Sequence, residues 1–439
     1  MLISFFDFIT GLWSDIGEQK RNKAISVCVF LIPILYLIHF PFLETPWPSL
    51  RYANNATLWN VVGSIILIII IILSAKKGFN PLKVNRVFSV FYFISALLIL
   101  IPCFFHYVGE GWRPFALTMI FVFPTFYFTS IGTNRISSIL RFFSWGLITN
   151  GYIIGLASII IVPINWDSSI RYMGICVNPA AFALFLLPSI IGALYILTTS
   201  YKKMAKIVCV FLVCLLMLLV FVSETRSVLI AGILAILVAL FMQIRQLIVY
   251  KKTIGKNTPK SSIIKALVAV AGIIVAILLV IYLTEIGQVI LDRFSRFSII
   301  GKTLDQALTG RWGVWAEAVG RLNFIGNDYR ETPIIYNDTR FMGAHNIPLD
   351  VAYRCGIIAG IFYLLMILYA LGFAFKQVFK NKTVRIETIF ICMSIIAFFV
   401  VAMFEWELRP FSMLYNLCFF ISLGPIMFKE KVCDEKSVE

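Results

Sequence analysis

Residues 203–249 read KMAKIVCVFLVCLLMLLVFV (203–222), SETRS (223–227) and VLIAGILAILVALFMQIRQLIV (228–249). Two long apolar runs flank a short polar turn, with lysines ahead of the first run and basic residues behind the second. A run of roughly 18–25 apolar residues crosses about 30 Å of hydrocarbon. Backbone in lipid has no water to bond, so each run must satisfy its own N–H and C=O groups and is therefore a helix. A barrel strand would alternate apolar and polar residues, and that alternation is absent. The stretch reads as a transmembrane hairpin with its polar turn on one side of the bilayer and its basic ends on the other.

The same pattern repeats in both directions along the 439 residues, which are 60% hydrophobic and 14% charged. The mean hydropathy is +0.92. Further runs lie near 24–43, 57–75, 84–104, 113–131, 138–163, 174–198, 263–285, 347–375, 386–404 and 410–428. The expected fold is an all-α polytopic membrane protein with about twelve transmembrane helices. One long extracytoplasmic loop, residues 286–346, joins helices nine and ten, and an ordered loop of that length is usually functional. Residues 1–20 form an interfacial amphipathic segment, with Phe5, Phe6, Ile9, Leu12, Trp13 and Ile16 at helical spacing. Asp7 and Asp15 stand where a cleavable signal would be basic. Residues 21–430 are a single transmembrane domain and 431–439 a cytoplasmic tail.

Orientation follows from the basic residues. With the N-terminus in the cytoplasm and the loops alternating, the inner face is +17 and the outer face −1, which accounts for the net +16. The basic balance is thus topology, and no nucleic-acid partner is implied. Nineteen of the twenty lysines fall inside, whereas twelve arginines fall outside. Topology explains why lysine is scarce outside but not why arginine stays; arginine is the planar, bidentate partner of phosphate and carboxylate. The nine cysteines lie almost all within spans, without a CxxC pair, so neither a disulfide framework nor a metal site is expected.

Four features stand out on the outer side. Arg171-Tyr-Met-Gly174 precedes Asn178-Pro179 at the start of the sixth span. Arg226 in the SETRS turn falls at a helix N-terminus, where backbone N–H groups and the helix dipole favour an anion. Gly310-Arg311 opens a short interfacial helix over 310–322 that carries Trp312 and Trp315. Ala344-His345-Asn346 leads into the tenth span, and a neutral imidazole is suited to take a proton from a hydroxyl. Plainer partners exist for the arginines: Asp167 for Arg171, Glu224 for Arg226 and Glu317 for Arg311. Glu405, Glu407 and Arg409 in the last outer turn either orient the site arginines or form a solvated loop. His39 and His106 read as interfacial, and Gly356 and Gly360 as close helix packing within the tenth span.

Taken in order, these motifs resemble the bacterial O-antigen ligase and polysaccharide polymerase superfamily. The resemblance runs from about residue 165 to 375 and rests on RYMGICVNPAAFALFLLP (171–188), SETRSVLIAGILAILVAL (223–240), TGRWGVWAEAVGRLNFIGNDY (309–329) and AHNIPLDVAYRCGIIAGIFYL (344–364). Earlier residues match in hydropathy alone. Two departures are visible: Asn178-Pro179-Ala180 lacks a second Asn, and Glu224-Thr225 precede Arg226 where small residues are common. The resemblance implies a metal-independent glycosyltransferase, without cofactor, in the bacterial inner (cytoplasmic) membrane. Both termini would be cytoplasmic and the active site would face the periplasm or cell exterior. Its donor is a glycan on undecaprenyl diphosphate and its acceptor another glycan. Carried over residue by residue, Arg171, Arg226 and Arg311 hold the diphosphate and His345 is the base near the acceptor, with Arg226 also counted as catalytic. Asn346, Trp315, Asn178 and Glu405 support them. Polymerisation of O-antigen or capsular repeat units is the leading expectation. The alternative is ligation of the glycan to lipid A–core. A lipid-linked oligosaccharide flippase is a third reading, disfavoured because it needs charge at mid-membrane.

Overall fold

The computed structural model describes residues 17–39, 56–74, 83–109, 111–132, 136–165, 170–176, 178–200, 202–254, 303–308, 310–328, 330–341, 343–380, 386–405 and 414–429. Residues 1–16 of the amphipathic segment expected over 1–20, the ninth span at 263–285, the start of the long loop at 286–302 and the tail lie outside these residues.

Helices α1 (Glu18–His39) and α2 (Ala56–Ser74) are followed by the short strand β1 (Lys83–Val84) and by α3 (Arg86–Leu100). Helices α4 (Trp112–Leu117) and α5 (Phe123–Gly132) are joined through a π-helical turn over Thr118–Val122. Next come α6 (Ile136–Ile161), α7 (Pro179–Thr199), α8 (Lys203–Val222) and α9 (Arg226–Ile254). The long loop contains α10 (Leu304–Ala307), α11 (Arg311–Gly320) and the hairpin of β2 (Ile334–Tyr336) and β3 (Thr339–Phe341). The chain continues through α12 (Ile347–Cys355), α13 (Ile357–Phe375), α14 (Ile386–Ala402), α15 (Leu414–Ser422), α16 (Gly424–Met427) and β4 (Phe428–Lys429).

Six of the described helical segments are long and apolar enough to cross a membrane: Arg86–Phe104, Ile136–Ile161, Pro179–Thr199, Lys203–Val222, Arg226–Gln246 and Ile357–Phe379. Val61–Ser74, Ile386–Ala402 and Leu414–Met427 are shorter apolar helices. Large apolar side chains along them, among them Ile65, Ile207, Phe211, Leu237 and Ile361, face outward. So much contiguous exposed apolar surface belongs in lipid rather than water. The chain is a multi-pass helical membrane protein.

The bundle is built around α7, the most buried of the six segments. It packs against α6, α8, α9, α14 and α15. Small residues permit the close approach: a Cβ on Gly192 would stand 2.9 Å from Ser144 O, and one on Gly151 would stand 2.3 Å from the Ser189 side chain. Helix α13 rests on α3, and α1 on α6 and α2. At one end β1 pairs antiparallel with β4, Lys83 opposite Lys429.

Two features depart from expectation. The segment after α11, to which the sequence reading assigns no regular structure, contains the β2–β3 hairpin. Its two-residue turn is Asn337-Asp338, both with positive φ (47° and 57°), the geometry a tight hairpin requires. The expected tenth span is two helices. Gly356, at φ 99°, separates α12 from α13, and a Cβ there would stand 2.2 Å from Phe324 O. Gly356 is thus a corner and not part of a packing motif within one helix. Gly360 does serve close packing, against Ala352 of the preceding helix.

Candidate functional site

The turn after α8 sets the first two arginines. The Ser223 hydroxyl donates back to Val220 O at 2.6 Å, and Glu224 takes a left-handed φ of 54°. The chain reverses, and Arg226 opens α9. Arg171 clamps this turn. Its Nε donates to Ser223 O at 3.0 Å; a terminal nitrogen reaches Glu224 O at 3.1 Å and Thr225 Oγ1 at 3.2 Å. The Thr225 hydroxyl in turn donates to Pro179 O at 3.3 Å, tying the turn to the start of α7.

Asn178 has a different occupation. Its side-chain oxygen accepts from Ala181 N–H at 2.7 Å, with Pro179 next, which is an N-cap followed by proline in the first helical turn. It shapes the entry to α7.

The third arginine comes from the long loop. Gly310 (φ 81°) lets the chain turn into α11. That helix buries Val314 and Ala318 with Ile334, Ala344 and Tyr353 and leaves Trp312 and Val319 exposed. A Cβ on Gly313 would stand 2.0 Å from the Tyr336 ring, so only glycine lets the hairpin seat there. So held, Arg311 stands 3.6 Å from the Glu405 carboxylate and 5.9 Å from the centre of the Phe404 ring. Trp315, one turn on, lies 6.3 Å from the same ring. Glu405 is only 5% exposed and accepts from the Ser227 hydroxyl at 3.4 Å.

His345 occupies the junction before α12 in a left-handed conformation, φ 50°. Several bonds hold it. Ala344 N–H donates to Asp350 at 3.1 Å, and Asp350 is paired to Arg354 at 2.9 Å, both buried. Arg354 donates onward to Val108 O at 2.8 Å, and His106 Nε2 lies 3.0 Å from Arg354 O. Asn346 caps α12 through Leu349 N–H, while its amide nitrogen donates to Met403 O at 3.3 Å, two residues before Glu405. The imidazole lies edge-on to Phe341 at 6.1 Å. Its Nδ1 is buried with no partner among the described residues.

The charges feel one another. Burial lowers Arg311 from its ordinary value; Glu405 opposes this and Arg226 adds to it. Burial likewise lowers Arg171, which Glu224 and Glu405 resist and Arg311 and Arg226 reinforce. Burial pushes Glu405 up to about 7, against Arg311, the Ser227 hydroxyl and Arg171. Burial, then Arg311, lowers His345 to about 4. Near neutral pH the imidazole is therefore uncharged, Arg311 and Arg171 act on one buried carboxylate, and Arg226 acts on both of those arginines.

Arg171, Arg226, Arg311, Glu405, His345, Asn346 and Trp315 thus converge at one end of the bundle, and Asn178 stands behind them. The pair read for Arg311 with Glu317 is not the one formed: Glu317 pairs with Arg321 one turn away, and Arg311 with Glu405. Asp167, Glu407 and Arg409 lie outside the described residues. Ser227, Phe404, Asp350 and Arg354 were not singled out from sequence. Asp350 and Arg354 carried a signal, an i,i+4 acid–base pair at the head of an apolar run. Comparison of the chain with family models, with curated proteins and with solved structures finds no match. The arrangement itself is a cluster of three arginines with one buried carboxylate and an uncharged imidazole.

Proposed function

We propose that this chain is an extracytoplasmic glycosyltransferase of about twelve spans in the bacterial inner membrane. In this reading both termini are cytoplasmic, and the enzyme polymerises oligosaccharide units carried on undecaprenyl diphosphate. The supporting observation is the cluster of Arg171, Arg226 and Arg311, two of which act on Glu405, with the uncharged His345 near enough to Arg311 to feel its charge. An acceptor hydroxyl attacks the anomeric carbon of the donor glycan. The new C–O bond forms as the bond to the diphosphate breaks; His345 takes the hydroxyl proton, and the diphosphate leaves as an anion. Negative charge grows on that leaving group in the transition state, where preorganised guanidinium groups act most strongly. Sugar transfer outside the cell has no nucleotide-sugar supply, which favours a lipid-linked donor.

The test is an assay with purified protein, a defined undecaprenyl-diphosphate oligosaccharide, and either a second lipid-linked unit or lipid A–core as acceptor. Lengthened lipid-linked product is expected, and Arg226→Ala and His345→Ala should each lower its yield by at least about a hundredfold. Product on lipid A–core alone would make the enzyme a ligase. Transport of the donor across vesicles without any transfer would refute the enzymatic reading.

A further inference from the structure

Glu405 stands where an incoming anion must go. Its carboxylate is 3.6 Å from Arg311, accepts from Ser227 at 3.4 Å, and is 5% exposed. The charged and titratable groups that face this place are Arg311 from α11, Arg226 from α9, Arg171 from the segment before α7, and His345, which lies near enough to Arg311 to feel its charge. Glu224 acts on Arg171, and Glu317 is engaged with Arg321. Without an anion the three guanidinium groups repel one another, so a permanent acid among them keeps the site assembled. The same acid is an obstacle once substrate arrives.

We propose that Glu405 is a resident counter-anion that the substrate diphosphate displaces from Arg311, taking up a proton from the outer aqueous phase as it yields. The inference rests on the diphosphate reading of the site and adds a cycle to it. A diphosphate on Arg311 sets a second negative group beside a desolvated carboxylate, and like charges so placed do not both stay ionised. Burial already favours the neutral acid, with its midpoint pushed up to about 7, so little further cost attends protonation. After glycan transfer, loss of that proton to the outer water returns the carboxylate to Arg311, and the diphosphate product is expelled. A site of three arginines alone would hold its product too tightly to turn over. Glu405 supplies the competition.

The experiment uses the full chain in lipid nanodiscs with inorganic pyrophosphate as probe, its affinity measured by calorimetry between about pH 5.5 and 8.5, a range that brackets the carboxyl midpoint. Wild type, Glu405→Gln and Arg311→Ala are compared, and the ratio of wild-type to Glu405→Gln affinity removes the ionisation of the probe itself. Near-equal binding at the acid end and about tenfold tighter binding by Glu405→Gln at the alkaline end are expected, since one opposite charge is worth about one pK unit or more. Proton uptake on binding should be smaller in Glu405→Gln than in wild type. A ratio constant with pH, or weaker binding by Glu405→Gln throughout, would overturn the proposal and make Glu405 a positioning residue. Ser227→Ala is the second variant. It removes a bond to the ionised carboxylate, so the pH above which binding falls behind that of Glu405→Gln should rise; an unmoved midpoint also overturns the proposal. Folded wild type that binds no pyrophosphate at any pH strikes the diphosphate reading itself.

Discussion

His345 owes its chemistry to where its ring is held. Burial lowers it to about 4 and Arg311 adds to the shift. A histidine free in water is half protonated near 6.5. At pH 5.5 the buried ring is therefore still a base, whereas an exposed ring would be mostly spent. In Glu405→Gln, where the neighbouring carboxyl no longer titrates, single-turnover transfer that depends on His345 should stay level from about pH 8 to pH 5 and fall only as pH drops through about 4. The linkage has the same sign. The unfolded chain takes up the proton first, so this group's stability contribution is complete above 6.5 and declines as pH falls toward 4. In that variant, an acid limb near 6.5 would place the imidazole in water and remove it from the proposed role. The residue types were legible in the sequence, because arginine is retained in the loops assigned to the outer face, where lysine is not. Two roles were not. Asn-Pro before an apolar run is the same string whether the asparagine caps a helix or binds a ligand, and the bond to Ala181 N–H makes Asn178 a cap. Glu405 was counted as a support for the arginines, but that its partner is Arg311 shows only in the fold.

At the scale of elements, the site depends on two seats that carry no charge. Gly313 admits the Tyr336 ring, and Gly356 lets α12 turn off α13 beneath Phe324 O. Sequence reading found α11 and its tryptophans because an apolar stripe shows in one dimension. It missed the β2–β3 hairpin, whose three-residue strands are too short for alternation to register. It also joined α12 to α13, because one glycine inside an apolar run looks like packing until its φ is known. Replacing Gly313 by Ala puts a methyl into the Tyr336 ring, so α11 must move off the hairpin, taking Arg311 from Glu405. Overpacking of this kind costs about 1–3 kcal/mol. Gly313→Ala should keep the protein in the membrane, lower transfer activity at least about tenfold, and speed proteolysis within residues 323–344, since local opening follows local stability. Unchanged proteolysis and activity would mean that the hairpin does not hold the arginine. Asp350 and Arg354 do for His345 what Gly313 does for Arg311, joining its loop to Val108.

At the scale of the whole molecule, the site exists because distant segments end at the same side. Tyr107 N–H meets Asp328, Arg171 meets the 223–225 turn, and Arg311 meets Glu405. Those contacts join the loops after the third, fifth, seventh, ninth and eleventh expected spans, the set that strict alternation assigns to one face. Lys83 pairs with Lys429 across β1 and β4, and both were assigned to the opposite face. Alternation was legible from hydropathy; which elements touch was not, since contacts between spans are set by small residues spread along α6 and α7. The charge argument adds the direction, with lysine on the side that is not translocated. Cysteine labelling tests it. Asn337→Cys sits at the exposed hairpin tip and Lys203→Cys at the head of α8, also exposed. Of the native cysteines, Cys176, Cys209, Cys355, Cys392 and Cys418 are buried, so unsubstituted protein supplies the background. A membrane-impermeant maleimide added to intact cells or spheroplasts should label Asn337→Cys at once and Lys203→Cys only after permeabilisation. The two positions must report opposite sides, because α8 crosses between the site and Lys203. Labelling of Lys203→Cys from outside would turn the arginine site toward the cytoplasm, where nucleotide-linked donors are found and the case for a polyprenyl carrier fails.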